Sequence, residues 1–259
     1  MTSLPGQRAP VSKVTAVVAP IVLGAALIAL WQLLVRAFHI HDTIVPAPSD
    51  IWHQLTEEHT LIFDTTRKTG WNALQGLVIG TVVGIVGALL AHGVRVLREM
   101  AAPIVVAVSV MPIVALGPVL YGLFGGMTDT ARIVVAGIAV AIPVYLNTLR
   151  GLQQVRAVHR DLMLAYSSTP WQRTWAVTLP TATPYLFTGL RIGSSLAVIS
   201  ALITEYFGGP SDGLGFTINN EAKSGAFALA WAAVVGSIVL GLIFYIVTYA
   251  VERWFARHR

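Results

Sequence analysis

The stretch 224–251, SGAFALAWAAVVGSIVLGLIFYIVTYAV, runs for 28 residues without an Asp, Glu, Lys or Arg. About 20 apolar residues suffice for a helix to cross the hydrocarbon core of a bilayer. Similar stretches occur at 14–35, 69–94, 100–128, 133–149 and, interrupted only by Arg191, 174–204. They predict an all-α integral membrane fold with about six transmembrane helices, near 14–36, 70–92, 102–124, 132–150, 184–205 and 228–250.

The composition of the whole chain supports the same fold class. Of its 259 residues, 55% are hydrophobic and only 11% are charged, against about 25% charged in an average soluble domain. No stretch is polar enough to be the outside of a soluble domain, so we predict one membrane domain, 14–259, after a short cytoplasmic tail, 1–13. The chain has no cysteine, which excludes thiolate chemistry and disulfides.

The distribution of positive charge predicts the orientation. If the N-terminus is cytoplasmic, 12 of the 17 Lys and Arg residues fall on the cytoplasmic side and the other five outside. Cytoplasmic segments of membrane proteins are enriched in Lys and Arg, so both termini are predicted to be cytoplasmic. The first apolar stretch lacks a cleavage pattern and is predicted to remain as a span. The basic residues are scattered rather than gathered on one face, so no nucleic-acid partner is predicted.

Two connecting segments are long enough to have structure of their own. On the outside, Val45-Pro46-Ala47-Pro48 predicts an extended stretch, after which Ser49 could cap a short helix lying on the membrane. A solvated loop is the alternative. On the cytoplasmic side, a helix is predicted from Arg156 to Tyr166 and a second from Pro170, because 169–172, TPWQ, fits a capping box with proline at the first helical position.

We predict that Pro180 ends this second helix. The segment 156–180 would then expose a helix-turn-helix to the cytoplasm. Membrane spans flank it tightly on both sides, which favours a docking surface for a cytoplasmic partner over a DNA-reading motif.

The same segment resembles the signature loop of binding-protein-dependent ABC importer permeases. Asp161 stands where that family usually has Glu, Ser167 where it usually has Gly, and 177–180, VTLP, matches the distal end. Further matches follow in order and are similar to the nitrate, sulfonate, taurine and thiamine-precursor branch: 45–48 (VPAP), 111–118 (MPIVALGP), 143–148 (PVYLNT), 184–193 (PYLFTGLRIG) and Glu205 followed by 213–215 (GLG).

This resemblance implies a type I (MetI-like) permease fold and a mechanical role. In the family, two permease subunits, here expected to be a homodimer, form the path, and a coupling helix of each enters a groove on a cytoplasmic ATPase subunit. A separate protein delivers the solute from outside. The coupling positions implied here are Asp161, Ala165, Tyr166, Ser167, Thr169, Pro170, Trp171, Leu179 and Pro180.

No catalytic residue, cofactor or metal is expected in this chain. A phosphate-binding loop needs a Lys after Gly, whereas the three lysines follow Ser, Arg and Ala. ATP and Mg²⁺ would therefore be bound by the partner ATPase, and the other expected neighbours are the solute-binding protein, a second permease copy and membrane lipid.

Two residues of the coupling segment leave alternatives open. If the turn needs a positive φ at Ser167, as a Gly would permit, this chain tolerates strain there; otherwise the turn is built differently. Asp161 could pair with a basic residue of the ATPase, or it could cap the start of its own helix.

Residues inside the membrane suggest a path. Pro112, with Gly117 and Pro118 beyond it, interrupts the third span, which membrane helices tolerate beside a cavity or buried in protein; with Met111 it marks a candidate pore lining or a simple kink. Asn147 and Glu205 are polar at buried or edge positions, where such groups are often functional, although Glu205 could equally be an interfacial anchor. Glycines at 76, 80 and 84 predict close helix packing, within the subunit or between subunits.

Two other functions compete with the importer hypothesis. A membrane-embedded enzyme would need paired acids or a nucleophile with a base, and a secondary transporter would usually show an inverted repeat; neither pattern is evident. The expected solute is a small organic or anionic compound such as a sulfonate, taurine, nitrate, a pyrimidine or riboflavin, and 184–190 with 205–209 leans toward the pyrimidine-like group.

Overall fold

The computed structural model describes residues 13–41 and 45–257, and these ranges contain helices and connecting turns without a strand. The predicted cytoplasmic tail lies outside the described residues except for Lys13. The helices are α1 (Lys13–Ala37), α2 (Pro48–Glu57), α3 (His59–Gly93), α4 (Arg95–Val110), α5 (Ile113–Phe124), α6 (Thr130–Gln153), α7 (Ala157–Ala165), α8 (Pro170–Arg173), α9 (Leu179–Tyr206), α10 (Leu214–Ser224) and α11 (Phe227–Arg257).

Six membrane spans were predicted, and the helices confirm that number if one bent pair is a single span. Within residues 13–41 and 45–257, five segments are long and apolar enough to cross a bilayer: α1, α3, α6, the segment Pro170–Tyr206, and α11. One span boundary differs at α3, which begins at His59 rather than near residue 70. Its polar first turns continue the helix beyond the membrane, because helix formation does not stop where the apolar run does.

The third predicted span is the bent pair, α4 and α5. Met111 and Pro112 are extended between them, and the two axes meet at an angle of 105°. Proline disfavours the helical conformation of the preceding residue and lacks an N–H, so the break falls where the sequence indicated an interruption. Gly117 and Pro118 lie within α5 and do not break it further.

The core is built around α6, which packs between α3 and α9. A Cβ added at Gly80 of α3 would stand 2.4 Å from the carbonyl oxygen of Gly137 in α6. On the other side of α6, a Cβ at Gly189 of α9 would stand 2.9 Å from the Pro143 carbonyl oxygen. The glycine stripe of α3 therefore mediates packing within the subunit, the first of the two alternatives.

Helix α1 contacts the rest of the chain mainly near its C-terminal end, which lies on the side of the spans predicted to be outside and here called the outer side. Trp31 meets Trp231 of α11 edge to face, with ring centroids 5.5 Å apart. Arg36 donates a 2.7 Å hydrogen bond to Asp50 of α2. The remainder of α1 is exposed along most of its apolar surface, including Leu23 and Leu27.

The outer helix α2 exists, but its predicted cap is wrong. Ala47 is the N-cap and Pro48 occupies the first turn, because proline needs no hydrogen bond there. The hydroxyl of Ser49 instead accepts hydrogen bonds from Gln32 and Arg36 of α1. These hydrogen bonds attach α2 to α1, and the side chain of Ile51 in α2 is buried.

The prediction that Pro180 ends the coupling helix is also wrong. Helix α8 continues through a π-helical turn, Thr174–Thr178, into α9 without a break. The wider π turn lies directly before Pro180, where an ordinary α-helical turn would place a carbonyl against the proline ring. Residues 170–206 therefore form one helical segment from the cytoplasmic loop to the outer end of α9.

Candidate functional site

The segment predicted to be cytoplasmic, 156–180, folds as predicted up to residue 173. Helix α7 is followed by Ser167, whose φ is +52°, and by Ser168, whose hydroxyl donates to the Met163 carbonyl. The capping box is complete: the Gln172 side chain accepts from the Thr169 amide at 2.8 Å, and the Thr169 hydroxyl accepts from the Gln172 amide at 3.3 Å.

The left-handed conformation of Ser167 answers one of the open alternatives. The turn has the geometry that a glycine would adopt freely, and a residue with a Cβ occupies it at a cost of roughly 1–2 kcal/mol. The Ser168 hydroxyl bond to α7 and the capping box of α8 hold the turn from both sides.

Large aromatic side chains project from this segment without cover from the chain. Tyr166, Trp171 and Trp175 are 77%, 69% and 57% exposed, and the two tryptophan rings meet edge to face at 5.5 Å. Trp175 was not among the predicted coupling residues, although it follows Trp171 at a spacing that puts both side chains on one helix face. A cluster of exposed aromatics rimmed by polar residues marks an interaction surface.

The other predicted coupling residues divide into two groups. Asp161, Ala165, Thr169 and Pro170 are exposed, whereas Leu179 and Pro180 are partly buried at the start of α9. Asp161 lies in the middle of α7, and the N-cap of that helix is Arg156. The alternative that Asp161 caps its own helix is therefore wrong.

The predicted path residues do not form one cluster. Met111 and Pro112 lie at the break between α4 and α5. The Asn147 amide donates to the Pro143 carbonyl of its own helix at 2.8 Å, beside Gly189 of α9. Glu205 lies at the far end of α9, in a buried polar cluster at the outer ends of the spans.

Arg132 is the centre of this outer cluster, and its side chain is fully buried. Its guanidinium donates to Asp212 at 2.8 Å, to Asp129 at 3.1 Å and to the Pro210 carbonyl at 2.7 Å. It also donates to the Tyr121 hydroxyl at 3.3 Å. One side chain of α6 thus holds α5 and the loop between α9 and α10.

Glu205 forms the inner half of the same cluster. Its carboxylate accepts from the Thr69 hydroxyl of α3 at 2.7 Å and from the Gly215 amide of α10 at 3.1 Å. Gly213 and Gly215 lie directly against it; a Cβ at Gly213 would stand 2.6 Å from the Glu205 carboxyl carbon. Only glycine fits at Gly213, whose φ of +115° is also disfavoured for other residues.

Lys68 extends the network toward the outside surface. Its ammonium lies 2.8 Å from Asp129 and 3.1 Å from Asp212. Burial alone would raise the pKa of Asp212, but hydrogen bonds from Arg132 and Lys68 outweigh this effect and lower it below the ordinary value of 3.8. Buried charges persist only when paired, and this network pairs two cations with three carboxylates.

Sequence reasoning found Glu205 but missed its partners. Arg132 and Asp129 are three residues apart beside an apolar run, a spacing that puts them on one helix face. That spacing was the available signal. Lys68, Thr69 and Asp212 come from distant parts of the chain, and only the packing of α3, α6 and α9 brings them together. Among the described residues, no group of three or more His, Asp or Glu could hold a metal ion.

The fold defines a class: a multi-pass membrane protein with a broken third span and a helical loop that continues into a later span. The chain belongs to the family of binding-protein-dependent transport system inner membrane components, whose model matches residues 80–257. It is therefore the permease subunit of an ABC importer.

Curated relatives agree with this assignment. A probable ABC transporter permease protein of Haemophilus influenzae is 28% identical over 227 residues, covering 87% of this chain and 91% of the relative. The riboflavin transport system permease protein RibX of Chloroflexus aurantiacus is 29% identical, covering 89% and 86%. The formylaminopyrimidine transport permease protein ThiX of Halalkalibacterium halodurans is 26% identical, covering 76% and 78%.

Solved structures share the fold. An amino acid ABC transporter, described as crystallised with histidines, superposes with a TM-score of 0.63 at 15% identity, covering 77% of this chain and 96% of the matched chain. The MetNI methionine ABC transporter in an inward-facing conformation gives a TM-score of 0.57 at 20% identity, covering 75% and 94%. The predicted MetI-like fold class is confirmed.

Proposed function

We propose that this chain forms, with a second copy of itself, the solute path of an importer and couples that path to a separate cytoplasmic ATPase through α7 and α8. The observation that carries the proposal is the exposed aromatic surface of Tyr166, Trp171 and Trp175 on a segment that continues into a span. Such a surface is suited to a partner groove, since desolvated aromatics dominate the energetics of protein interfaces.

The continuity of α8 with α9 provides a mechanical route. A displacement of α8 by the ATPase moves α9 along its whole length, because no loop separates them. At the outer end of α9, Thr204 packs against Gly117 of α5, and Glu205 belongs to the outer cluster. Closure of the ATPase pair would therefore act on the broken third span and on the outer surface together.

The remaining partners follow from the family and from the exposed surfaces. ATP and Mg²⁺ are bound by the ATPase, so this chain needs no cofactor of its own. The apolar surfaces of α1 and α4 exposed in the single chain are available for the second permease copy and for lipid. A solute-binding protein docks on the outside, and both termini lie in the cytoplasm, as the excess of Lys and Arg on that side indicates.

The solute we propose is a small organic or anionic compound. Similarity to RibX and ThiX supports a riboflavin-like or pyrimidine-like compound, while matches to an aliphatic sulfonate permease of Bacillus subtilis and a nitrate permease of Synechocystis keep the anionic solutes within the same proposal. The sequence features that an embedded enzyme or an ion-driven transporter would require are not evident, and family membership favours the importer.

The proposal is tested by affinity purification of the chain from its native membrane in mild detergent, followed by mass spectrometry. Recovery of an ABC-type ATPase subunit in stoichiometric amount, together with ATP hydrolysis, is the expected result. Recovery of the chain alone, without hydrolysis, would overturn the proposed coupling.

A further inference from the structure

A cavity of about 440 Å³ lies between the coupling segment and the cytoplasmic ends of the spans. Its walls come from the end of α3, the end of α6, helices α7 and α8, and the π turn. The lining residues include the basic side chains of Arg160 and Arg173, the imidazoles of His92 and His159, and the polar Gln153 and Thr178.

The cavity presents hydrogen-bond donors without a matching anion from the chain. No Asp or Glu lines it. Within the described ranges, neither Arg160 nor Arg173 forms a salt bridge, and the buried Nε of Arg173 has no hydrogen-bond partner. Buried polar groups are nearly always hydrogen-bonded, so the acceptor for this donor comes from outside the described residues, as water or a ligand.

We propose that this cavity binds a phosphate group between Arg160 and Arg173. The planar guanidinium matches the geometry of phosphate oxygens, and each imidazole can donate a further hydrogen bond. A phosphate group reaches such a place from two sources: the headgroup of an anionic phospholipid or free inorganic phosphate.

The position of the cavity makes the lipid headgroup a natural ligand. It is lined by the ends of α3 and α6 and includes apolar residues such as Leu152 and Val177. Basic pockets between transmembrane helices on this side of a bilayer bind anionic headgroups. The choice of leaflet rests on the orientation in the proposed function; the binding of phosphate does not.

The bound phosphate would link the coupling segment to the rest of the permease. Arg160 belongs to α7 and Arg173 to α8, whereas His92 and Gln153 belong to the ends of α3 and α6. A ligand that bridges these elements holds α7 and α8 against the spans through which they act.

The test uses the purified full-length chain in nanodiscs, with retained lipid counted by native mass spectrometry and stability followed by thermal unfolding. One arm compares phosphatidylcholine alone with phosphatidylcholine containing phosphatidylglycerol. The other arm adds inorganic phosphate, with chloride as control, to phosphatidylcholine nanodiscs. The variants are Arg160→Gln and Arg173→Gln, and Arg150→Gln, an exposed arginine outside the cavity on the same side, is the matched control.

Retention of phosphatidylglycerol, weakened about fivefold by each cavity variant and unchanged in the control, identifies a lipid headgroup as the source. Stabilisation by inorganic phosphate with the same variant pattern identifies the free anion. Absence of both effects, or equal weakening by the control, would overturn the site. Arg160 is exposed, so its variant remains informative even if Arg173→Gln fails to fold. These measurements need no ATPase, so a negative result would contradict the phosphate site without contradicting the proposed coupling.

Discussion

The guanidinium of Arg132 lies 3.7 Å from the Glu205 carboxylate, and neither side chain is exposed to solvent. Arg132 belongs to α6 and Glu205 to α9, so this buried pair joins the two central spans at their outer ends. Through Tyr121, Thr69 and Gly215, it also reaches α5, α3 and α10. The outer end of the permease is thus held by one polar network rather than by apolar packing alone.

Replacing Arg132 by Met is expected to destabilise the chain by about 3–5 kcal/mol, because it leaves buried carboxylates without their cation. The measurement is thermal or denaturant unfolding in detergent. Arg67→Met is the matched control, since Arg67 is an exposed arginine at the outer end of α3; its effect should stay within about 0.5 kcal/mol. Similar losses for both variants would contradict a structural role of the buried network.

The lowered pKa of Asp212 predicts a pH dependence. A carboxylate whose pKa is lower in the folded state stabilises the fold above its unfolded pKa, and this contribution disappears as the pH falls through the folded value. The stability difference between the wild-type chain and Asp212→Asn should therefore be constant from neutral pH to about pH 5 and shrink below about pH 4. The measurement is the unfolding midpoint of both chains across this range. A difference that grows on acidification would contradict the pairing with Arg132 and Lys68.

Replacing Ser167 by Gly removes strain from the turn between α7 and α8. The gain from relieving a φ of +52° is partly offset by the greater freedom of glycine in the unfolded chain, so we expect a stabilisation of up to about 1 kcal/mol. Ser168→Gly should instead destabilise, because it loses the hydroxyl bond to Met163. Limited proteolysis of the loop and thermal unfolding would measure the stability of both variants. A change of stability in the same direction for both would contradict this account.

Replacing Gly80 by Ala should weaken the contact between α3 and α6, since the new methyl group would stand 2.4 Å from the Gly137 carbonyl oxygen. Overpacking of this kind costs about 1–3 kcal/mol. Gly24→Ala is the control, because nothing lies within 4 Å of a Cβ at that position. The measurement is the free energy of unfolding of both variants in detergent. An unaffected Gly80→Ala would mean that α3 and α6 are not in close contact.

The spans and the coupling segment were predictable because their signals are local. Apolar runs of sufficient length and the Thr169 capping box each lie within a few turns of the chain. The prediction for Pro180 was wrong because a π turn accommodates a proline that a regular α-helix would exclude. No local sequence pattern distinguishes a π turn from the end of a helix. The partners of Glu205 were missed because they depend on the pairing of distant helices, which the spacing of residues does not specify.

Ser167 could be predicted only in part. Its place in the turn was predictable from the resemblance, whereas its left-handed conformation depends on how α7 and α8 are fixed around it. The cavity beside the coupling segment could not be predicted either, since its lining comes from four helices and a π turn.

The most direct test of the central claim is co-purification of the ATPase with Trp171→Glu, compared with the wild-type chain and with Trp52→Glu. Trp52 is 68% exposed and Trp171 is 69% exposed, but Trp52 lies on α2 at the opposite end of the spans. The account predicts that Trp171→Glu loses most of the bound ATPase and the associated hydrolysis, while Trp52→Glu retains both. Full retention by a correctly folded Trp171→Glu chain would contradict the assignment of α7 and α8 as the coupling surface.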